Sequence, residues 1–192
     1  MNSLKRNDEG FTGLEAAIVL IAFVVVAAVF SYVVLGAGFF TTQKAQETVY
    51  SGVAQATSNI QMIGQVYGTA STPANGVDNI TFTIGLAPGS PSLDLSLMKI
   101  AFSTPTTAPV ILTWAAGPSP TTSTFVVNET LPTGTTAGIS TLKAQNQTQI
   151  KFQVAAVPKN TVMNFEIRPS VGASLPFSKS TPPALTTTNV LY

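Results

Sequence analysis

The chain has 192 residues, a formal net charge of +1 and only 9% charged residues, so it has room for one modest domain beyond any membrane segment. It contains neither cysteine nor histidine, which excludes disulfides, thiolate metal sites and Ser-His-Asp catalysis. The sequence contains no basic patch interleaved with aromatic residues, so it does not predict nucleic-acid binding. We therefore expect a protein that is not an enzyme, without a catalytic site, cofactor, metal or nucleic-acid partner.

Residues 1–10 form a short polar segment that precedes a long apolar run. Lys5 and Arg6 lie before that run, and the positive-inside rule then places the N-terminus in the cytoplasm and the rest of the chain outside. The run is longer than the apolar core of about 7–15 residues in a secretory signal peptide. Two interpretations remain open: an uncut signal anchor, or cleavage before the run, between Gly10 and Phe11.

Residues 11–40 are apolar on every face and carry one charge, Glu15. Residues 16–40 contain fifteen Ile, Leu, Val or Phe, which contribute roughly −5 to −9 kcal/mol on a membrane-insertion scale. As a helix this segment spans roughly 37 Å, more than the bilayer core of about 30 Å. Such a helix must be enclosed on all sides, either by lipid or by other copies of itself.

After Lys44 the pattern becomes amphipathic, with apolar residues at spacings of three and four through Ile63. This pattern predicts one continuous helix over residues 11–66, about 84 Å long. A bilayer needs less than half of that length, so we expect the second half to pack against the chain's own domain, against neighbouring helices in a fibre, or against both.

Residues 67–192 are rich in Thr, Ser, Gly and Pro and contain short alternating apolar segments. Strands are predicted at 80–86, 93–102, 110–115, 124–127, 139–144, 149–155 and 162–167, with an eighth candidate at 189–192. The apolar alternation changes phase between Leu97 and Met98, which predicts a bulge within the strand 93–102. The predicted fold class is α+β, a long N-terminal apolar α-helix followed by an antiparallel immunoglobulin-like β-sandwich. We expect Trp114 to be a core residue.

The N-terminal residues resemble those of a known family. Lys5-Arg6, Gly10 followed by residues 11–15 (FTGLE) and an unbroken apolar helix resemble the class III leader of type IV pilin-like proteins. Residues 18–29 (IVLIAFVVVAAV) and 38–48 (GFFTTQKAQET) resemble archaellins, the archaeal flagellins. The resemblance covers residues 5–60.

This resemblance implies a function. A prepilin-type peptidase would recognise Lys5 and Arg6 and cut between Gly10 and Phe11. The helix would remain in the membrane until assembly. An assembly ATPase and a membrane platform protein would then insert it into an extracellular filament used for swimming. The chain would polymerise with itself or with related archaellins.

Glu15 departs from the family pattern, because many archaellins have an uncharged, Gly-rich start after the cleavage point whereas pilins carry a glutamate there. An adhesion-type pilin or a surface binding protein with a single helical anchor therefore remains an alternative. The resemblance implies that Glu15 pairs with the free amino group that cleavage creates at Phe11, either of its own chain or of a neighbouring chain. The other interpretation is a carboxylate at the membrane interface near a helix N-terminus, where the helix dipole favours negative charge.

Three N-glycosylation sequons begin at Asn79, Asn128 and Asn146. Asn128 and Asn146 are predicted in turns and Asn79 at a strand start. Because the domain is expected outside the cell, and because archaellins are commonly glycosylated, we expect all three to carry glycans. We expect Asp78 and Asp94 to be solvated and not to form a metal site.

Overall fold

The computed structural model describes residues 5–131 and 138–192, excluding the side chains of residues 5–11 and 128–130. Contacts divide the chain into two compact units, which meet between Ser51 and Gly52. The described part contains one helix, α1 (Lys5–Thr57), and eleven strands. These are β1 (Ile60–Thr69), β2 (Val77–Leu86), β3 (Leu93–Asp94), β4 (Lys99–Thr104), β5 (Thr107–Trp114), β6 (Thr124–Leu131), β7 (Thr141–Leu142), β8 (Gln147–Val157), β9 (Val162–Arg168), β10 (Leu175–Ser180) and β11 (Thr188–Leu191).

Helix α1 is uninterrupted because the chain has no proline before Pro73. It begins at Lys5 and passes through Gly10, earlier than the predicted start at residue 11. A single glycine costs a helix about 1 kcal/mol, which does not end it when helix-forming residues lie on both sides. Gly36 and Gly38 likewise lie inside the helix, with no other atom within 4 Å of where a Cβ would stand.

The prediction that this helix continues to residue 66 is wrong. It ends at Thr57, and strand β1 begins at Ile60. The apolar residues of this segment fit a helical spacing, but Ile60 and Val66 are buried in the β-domain and β1 pairs with both β2 and β11. Gly64 adopts a φ of 76° beside the irregularity in β1, a conformation that favours glycine. The β-domain therefore begins at residue 60, not at residue 67.

The predicted fold class, a long helix followed by a β-domain, is confirmed. Nine strands form one sheet in the order β10-β9-β4-β5-β6-β8-β2-β1-β11, and β3 pairs with β7 separately. All pairs in the large sheet are antiparallel except β5–β6, which is parallel over two residue pairs. The two outermost strands approach each other, since Ser180 and Tyr192 exchange backbone hydrogen bonds of 2.7 and 3.1 Å. The sheet thus wraps around a single core.

Five phenylalanines from five different strands contact one another in that core. Their ring centroids lie 4.8–6.2 Å apart, mostly edge to face, and the residues are Phe82, Phe102, Phe152, Phe165 and Phe177. Trp114 packs against this core, as predicted, and its buried indole N–H has no hydrogen-bond partner among the described residues.

Most predicted strands coincide with observed ones, with four differences. The predicted strand 93–102 is divided into β3 and β4, and the residues between them turn so that the Met98 N–H donates to the Leu95 carbonyl at 3.2 Å. The predicted strand 139–144 is a strand only at Thr141–Leu142. Strand β1 was predicted as helix. Strand β10 was not predicted, because Pro176 and the polar residues around it interrupt the apolar alternation.

Candidate functional site: the surface of helix α1

The candidate functional site is the exposed apolar surface of α1. Ile18, Val19, Leu20 and Ile21 follow one another at steps of about 100° around the helix, and each is 55–67% exposed. The same holds along the helix to Phe40, which is 63% exposed. This surface is far larger than the apolar patches that monomeric soluble proteins expose. Over residues 14–40 it requires an apolar partner on every side.

Within the described residues, the Thr12–Thr57 part of α1 is long and apolar enough to cross a membrane, and an 18-residue window within it has a mean hydropathy of 3.0. Its hydroxyl groups near the end of the apolar run are satisfied within the helix. Thr41 and Thr42 donate to the carbonyls of Ala37 and Gly38 at 2.8 and 2.9 Å. Such bonds allow threonine to lie in an apolar environment without an unpaired donor.

Charges mark the two ends of this apolar surface. Glu15 is exposed near its start. At its end, Lys44 donates to Glu47 at 2.6 Å in an exposed ion pair three residues apart. Between Glu15 and Lys44 no side chain carries a charge. Among the described side chains of α1, the cation nearest to Glu15 in sequence is therefore Lys44, which is too far along the helix to pair with it.

The predicted leader residues Lys5, Arg6, Gly10 and Phe11 lie within α1, so the Gly10–Phe11 bond is part of helical backbone in this chain. Their side chains lie outside the described set. Cleavage, leader recognition and the pairing of Glu15 with Phe11 therefore remain predictions.

The three sequons occupy different positions in the β-domain. Asn146 lies in the turn between β7 and β8, as predicted, and its N–H donates to the Lys143 carbonyl at 3.2 Å. Asn79 lies near the start of β2, half-buried, and its Nδ2 donates to Asp78 Oδ1 at 2.9 Å. Asn128 was predicted in a turn, and this is wrong. It lies in β6, where the register shifts between Val127 and Glu129, because β6 pairs with β8 beyond the predicted strand end.

Asp78 and Asp94 do not come together, because β2 pairs with β1 and β8 whereas β3 pairs with β7. Partial burial raises the pKa of Asp78, but hydrogen bonds from Ser71 and Asn79 outweigh it and hold that pKa below its usual value. Hydrogen bonds from the Ser96 hydroxyl and N–H lower the pKa of Asp94. Within the residues that the structure describes, no three His, Cys, Asp or Glu side chains form a group that could hold a metal ion.

One contact of the helix end was not predicted. The Ser90 hydroxyl donates to the Thr57 carbonyl at 2.6 Å, across 33 residues of sequence. The Pro-Gly-Ser-Pro segment at 88–91 indicates a turn, but no local pattern shows what that turn contacts.

Comparison with known proteins gives a consistent result. A family model described as archaeal-type flagellin matches residues 10–179. The chain is 37% identical over 195 aligned positions to probable flagellin 1 of Archaeoglobus fulgidus, with 97% of this chain and 96% of that relative covered. A second relative from the same organism, probable flagellin 2, is 38% identical, with 95% and 94% covered.

Solved structures agree with these relatives. The archaeal flagellum of Methanospirillum hungatei strain JF1 is similar with a TM-score of 0.68 and 33% identity, covering 94% of this chain and 99% of that chain. The crystal structure of the archaeal flagellin FlaB1 from Methanocaldococcus jannaschii has a TM-score of 0.57 at 16% identity, which supports the fold alone.

Proposed function

Because the chain belongs to the archaeal-type flagellins and is a structural subunit of the extracellular archaellum filament used for motility, we propose that it polymerises through the apolar surface of α1. The observation that carries this proposal is the exposure of apolar side chains on all faces of residues 14–40. A helix that contacted only its own domain would need one apolar stripe, not a complete apolar circumference.

The same surface suits two successive environments. In the precursor, lipid would surround the helix, with the N-terminus in the cytoplasm as Lys5 and Arg6 indicate. In the filament, the corresponding helices of other subunits would replace the lipid. Lipid and apolar helices are similar solvents for such a surface, so the transfer has a small free-energy difference but needs extraction from the bilayer. An assembly ATPase and a membrane platform protein would supply that work.

We further propose that a prepilin-type peptidase removes residues 1–10 before assembly. The support for this proposal is the sequence itself, in which Lys5, Arg6 and Gly10 precede Phe11 and the apolar run. Cleavage would remove Lys5 and Arg6 and their neighbouring charges from the end of the helix. The new amino group of Phe11 would then lie one helical turn from Glu15, since residues four apart share a face.

The sequons at Asn79, Asn128 and Asn146 lie in the domain that would face outward, and we propose that they carry N-linked glycans. Asn146 is the most favoured glycosylation site of the three, because it lies in a turn. Asn79 is the least favoured, because its Nδ2, the atom that would bond to the glycan, is engaged by Asp78 at 2.9 Å.

The alternatives were an adhesion pilin, which the position of Glu15 supports, and a binding protein with a single uncut helical anchor. The family match and the two relatives, which cover nearly the whole chain, favour the archaellin.

The proposal is tested by intact-mass and N-terminal analysis of filaments sheared from cells. We expect Phe11 as the first residue, with extra mass on glycosylated peptides. Gly10→Val should block cleavage and abolish filaments, whereas the matched variant Gly13→Val, three residues beyond the cut, should be processed normally. Filaments that retain Met1, or normal processing of Gly10→Val, would overturn the leader assignment.

A further inference from the structure

The end of helix α1 is bonded to the β-domain by a group distant in sequence. The last carbonyls of a helix ordinarily lack intrahelical partners. Here the Ala54 carbonyl accepts from the Ser58 N–H at 2.9 Å, and the Thr57 carbonyl accepts from the Ser90 hydroxyl at 2.6 Å. Ser90 is only 4% exposed whereas Thr57 is exposed, so this hydrogen bond is partly buried.

The turn that contains Ser90 also bonds to the residue where the strand begins. The Ala87 N–H donates to the Asn59 carbonyl at 3.0 Å. The Asn59 N–H in turn donates to Ser90 Oγ at 3.4 Å. The turn at residues 87–90 therefore binds the chain on both sides of Ser58.

A second segment closes on Ser58 from the β9–β10 connection. Gly172 approaches so closely that a Cβ there would overlap the Ser58 carbonyl oxygen and lie 2.8 Å from the Ser58 Cβ. Its φ of 103° also requires glycine. Ser58 itself is 7% exposed. Thr57, Ser58, Asn59, Ser90 and Gly172 are called the helix-exit clamp below.

We propose that the helix-exit clamp is a fixed joint that transmits force between α1 and the β-domain. Only Ser58 and Asn59 separate the helix from β1, and neither is a glycine that would permit free rotation. Residues 52–57 already belong to the same compact unit as the strands. The clamp makes this last part of the helix move with the β-domain, and a load on it passes into the sheet through partly buried hydrogen bonds.

This inference rests on the proposed function, because a fixed joint has a mechanical role only in a polymerised subunit. In the filament, the joint would keep residues 52–57, the last part of α1, fixed to the strands. Without it, the strands would swivel about the end of the helix although the helices remained assembled.

Hydrogen exchange of the full-length protein tests the joint at Ser90. Ser90→Ala removes the donor to Thr57 and the acceptor for Asn59, so the amides of Ser58 and Asn59 should exchange about fivefold faster or more. Ser96→Ala is the matched control. Its hydroxyl donates to Asp94 at 2.6 Å outside the clamp, and it should leave these two amides unchanged. Equal exchange at Ser58 and Asn59 in Ser90→Ala and wild type would overturn the proposal.

Gly172→Ala tests the same joint in filaments. Gly138→Ala is its control, because Gly138 also has a positive φ, 79°, but a Cβ there would meet nothing closer than 3.9 Å. In reconstructions of filaments by electron microscopy, Gly172→Ala should blur the β-domain relative to the helical core, and Gly138→Ala should not. A β-domain as sharp as that of wild type in Gly172→Ala filaments would contradict a fixed joint.

The two levels of the proposal fail separately. If wild-type protein forms no filaments, the proposed function is wrong, and the exchange rates of Ser58 and Asn59 in the unpolymerised chain still test the joint. If filaments form and neither Ser90→Ala nor Gly172→Ala changes these readouts, the joint is wrong and the filament function stands. Should Gly172→Ala fail to fold, Ser90→Ala decides.

Discussion

Glu15 is the residue that we propose takes part in assembly, because no other charged side chain occurs between residues 12 and 43. Burying an unpaired carboxylate among apolar helices raises the free energy of the assembly by several kcal/mol. Burying a carboxylate that is paired with an ammonium group raises it much less. The proposed removal of residues 1–10 would create that ammonium group at Phe11, so cleavage and charge pairing would be two parts of one mechanism.

Glu15→Gln should reduce filament yield strongly, since it leaves the Phe11 ammonium without its partner, a change that costs about 3–5 kcal/mol for a buried pair. The measurement is the mass of sheared filaments per cell. Glu47→Gln is the control, because Glu47 lies in an exposed pair with Lys44, worth only about 0.3–0.5 kcal/mol. Equal yields from Glu15→Gln and wild type would refute the pairing.

Asp78 makes the stability of the β-domain depend on pH. Its folded-state pKa is lowered, because the hydrogen bonds from Ser71 and Asn79 outweigh the opposing effect of burial. A lowered folded pKa stabilises the fold above the unfolded pKa of about 3.9, and this contribution is lost as the pH falls through the folded value.

Asp78→Asn should therefore destabilise the protein at pH 7 by about 0.5–1 kcal/mol, a small value because the carboxylate is partly solvated. Denaturant unfolding at pH 7 and at a series of lower pH values measures the difference, which should shrink as the pH falls and the wild-type carboxyl becomes protonated. A difference that stays constant across the series would show that charge is not the cause.

At the scale of secondary-structure elements, the apolar helix and the alternating strands were predictable, because each pattern is local. The alternation of Ile150, Phe152 and Val154 predicts β8, and all three side chains are buried. Residues 16–40 form an uninterrupted apolar run that is long enough to span a bilayer, and a run of that length predicts a helix.

The errors occurred where tertiary contacts decide the structure. Residues 60–66 fit a helical spacing, but strand pairing with β2 and β11 overrides it. Strand β10 contains Pro176, and its outermost position in the sheet tolerates proline because one side of the strand lacks a continuous ladder. The hydrogen bond between Ser90 and Thr57 connects segments that no sequence pattern relates.

The burial of individual strand residues gives a direct test of the fold. Ile100 in β4 is fully buried, whereas Ile111 in the neighbouring β5 is 53% exposed. Ile100→Ala should lower the free energy of unfolding by about 2–5 kcal/mol, because it removes buried methyl groups and leaves a cavity. Ile111→Ala should change it by less than about 1 kcal/mol. Denaturant unfolding of the full chain in detergent distinguishes them, and equal effects would contradict the sheet register.

At the scale of the whole molecule, the chain combines two kinds of surface. The β-domain encloses its own core of phenylalanine and aliphatic side chains, so it needs no partner to bury apolar area. Helix α1 buries almost nothing and presents its apolar side chains outward. Such a division is expected of a subunit that is completed only by other copies of itself.

This division also accounts for the length of α1. At 53 residues the helix is about 80 Å long, whereas a bilayer core needs about 30 Å. The remaining length includes the ion pair of Lys44 and Glu47 and ends at the helix-exit clamp. A filament core built from overlapping helices would use the whole length, since each subunit then contacts several neighbours along it.

The central claim, that α1 forms the filament core, is tested most directly by a reconstruction of this protein's filaments from electron microscopy at side-chain resolution. We predict helices that begin at Phe11 and pack against one another over residues 14–40, with the β-domains outside and no residues 1–10. Filaments joined mainly through β-domains, with α1 unpacked or with residues 1–10 retained, would contradict the account.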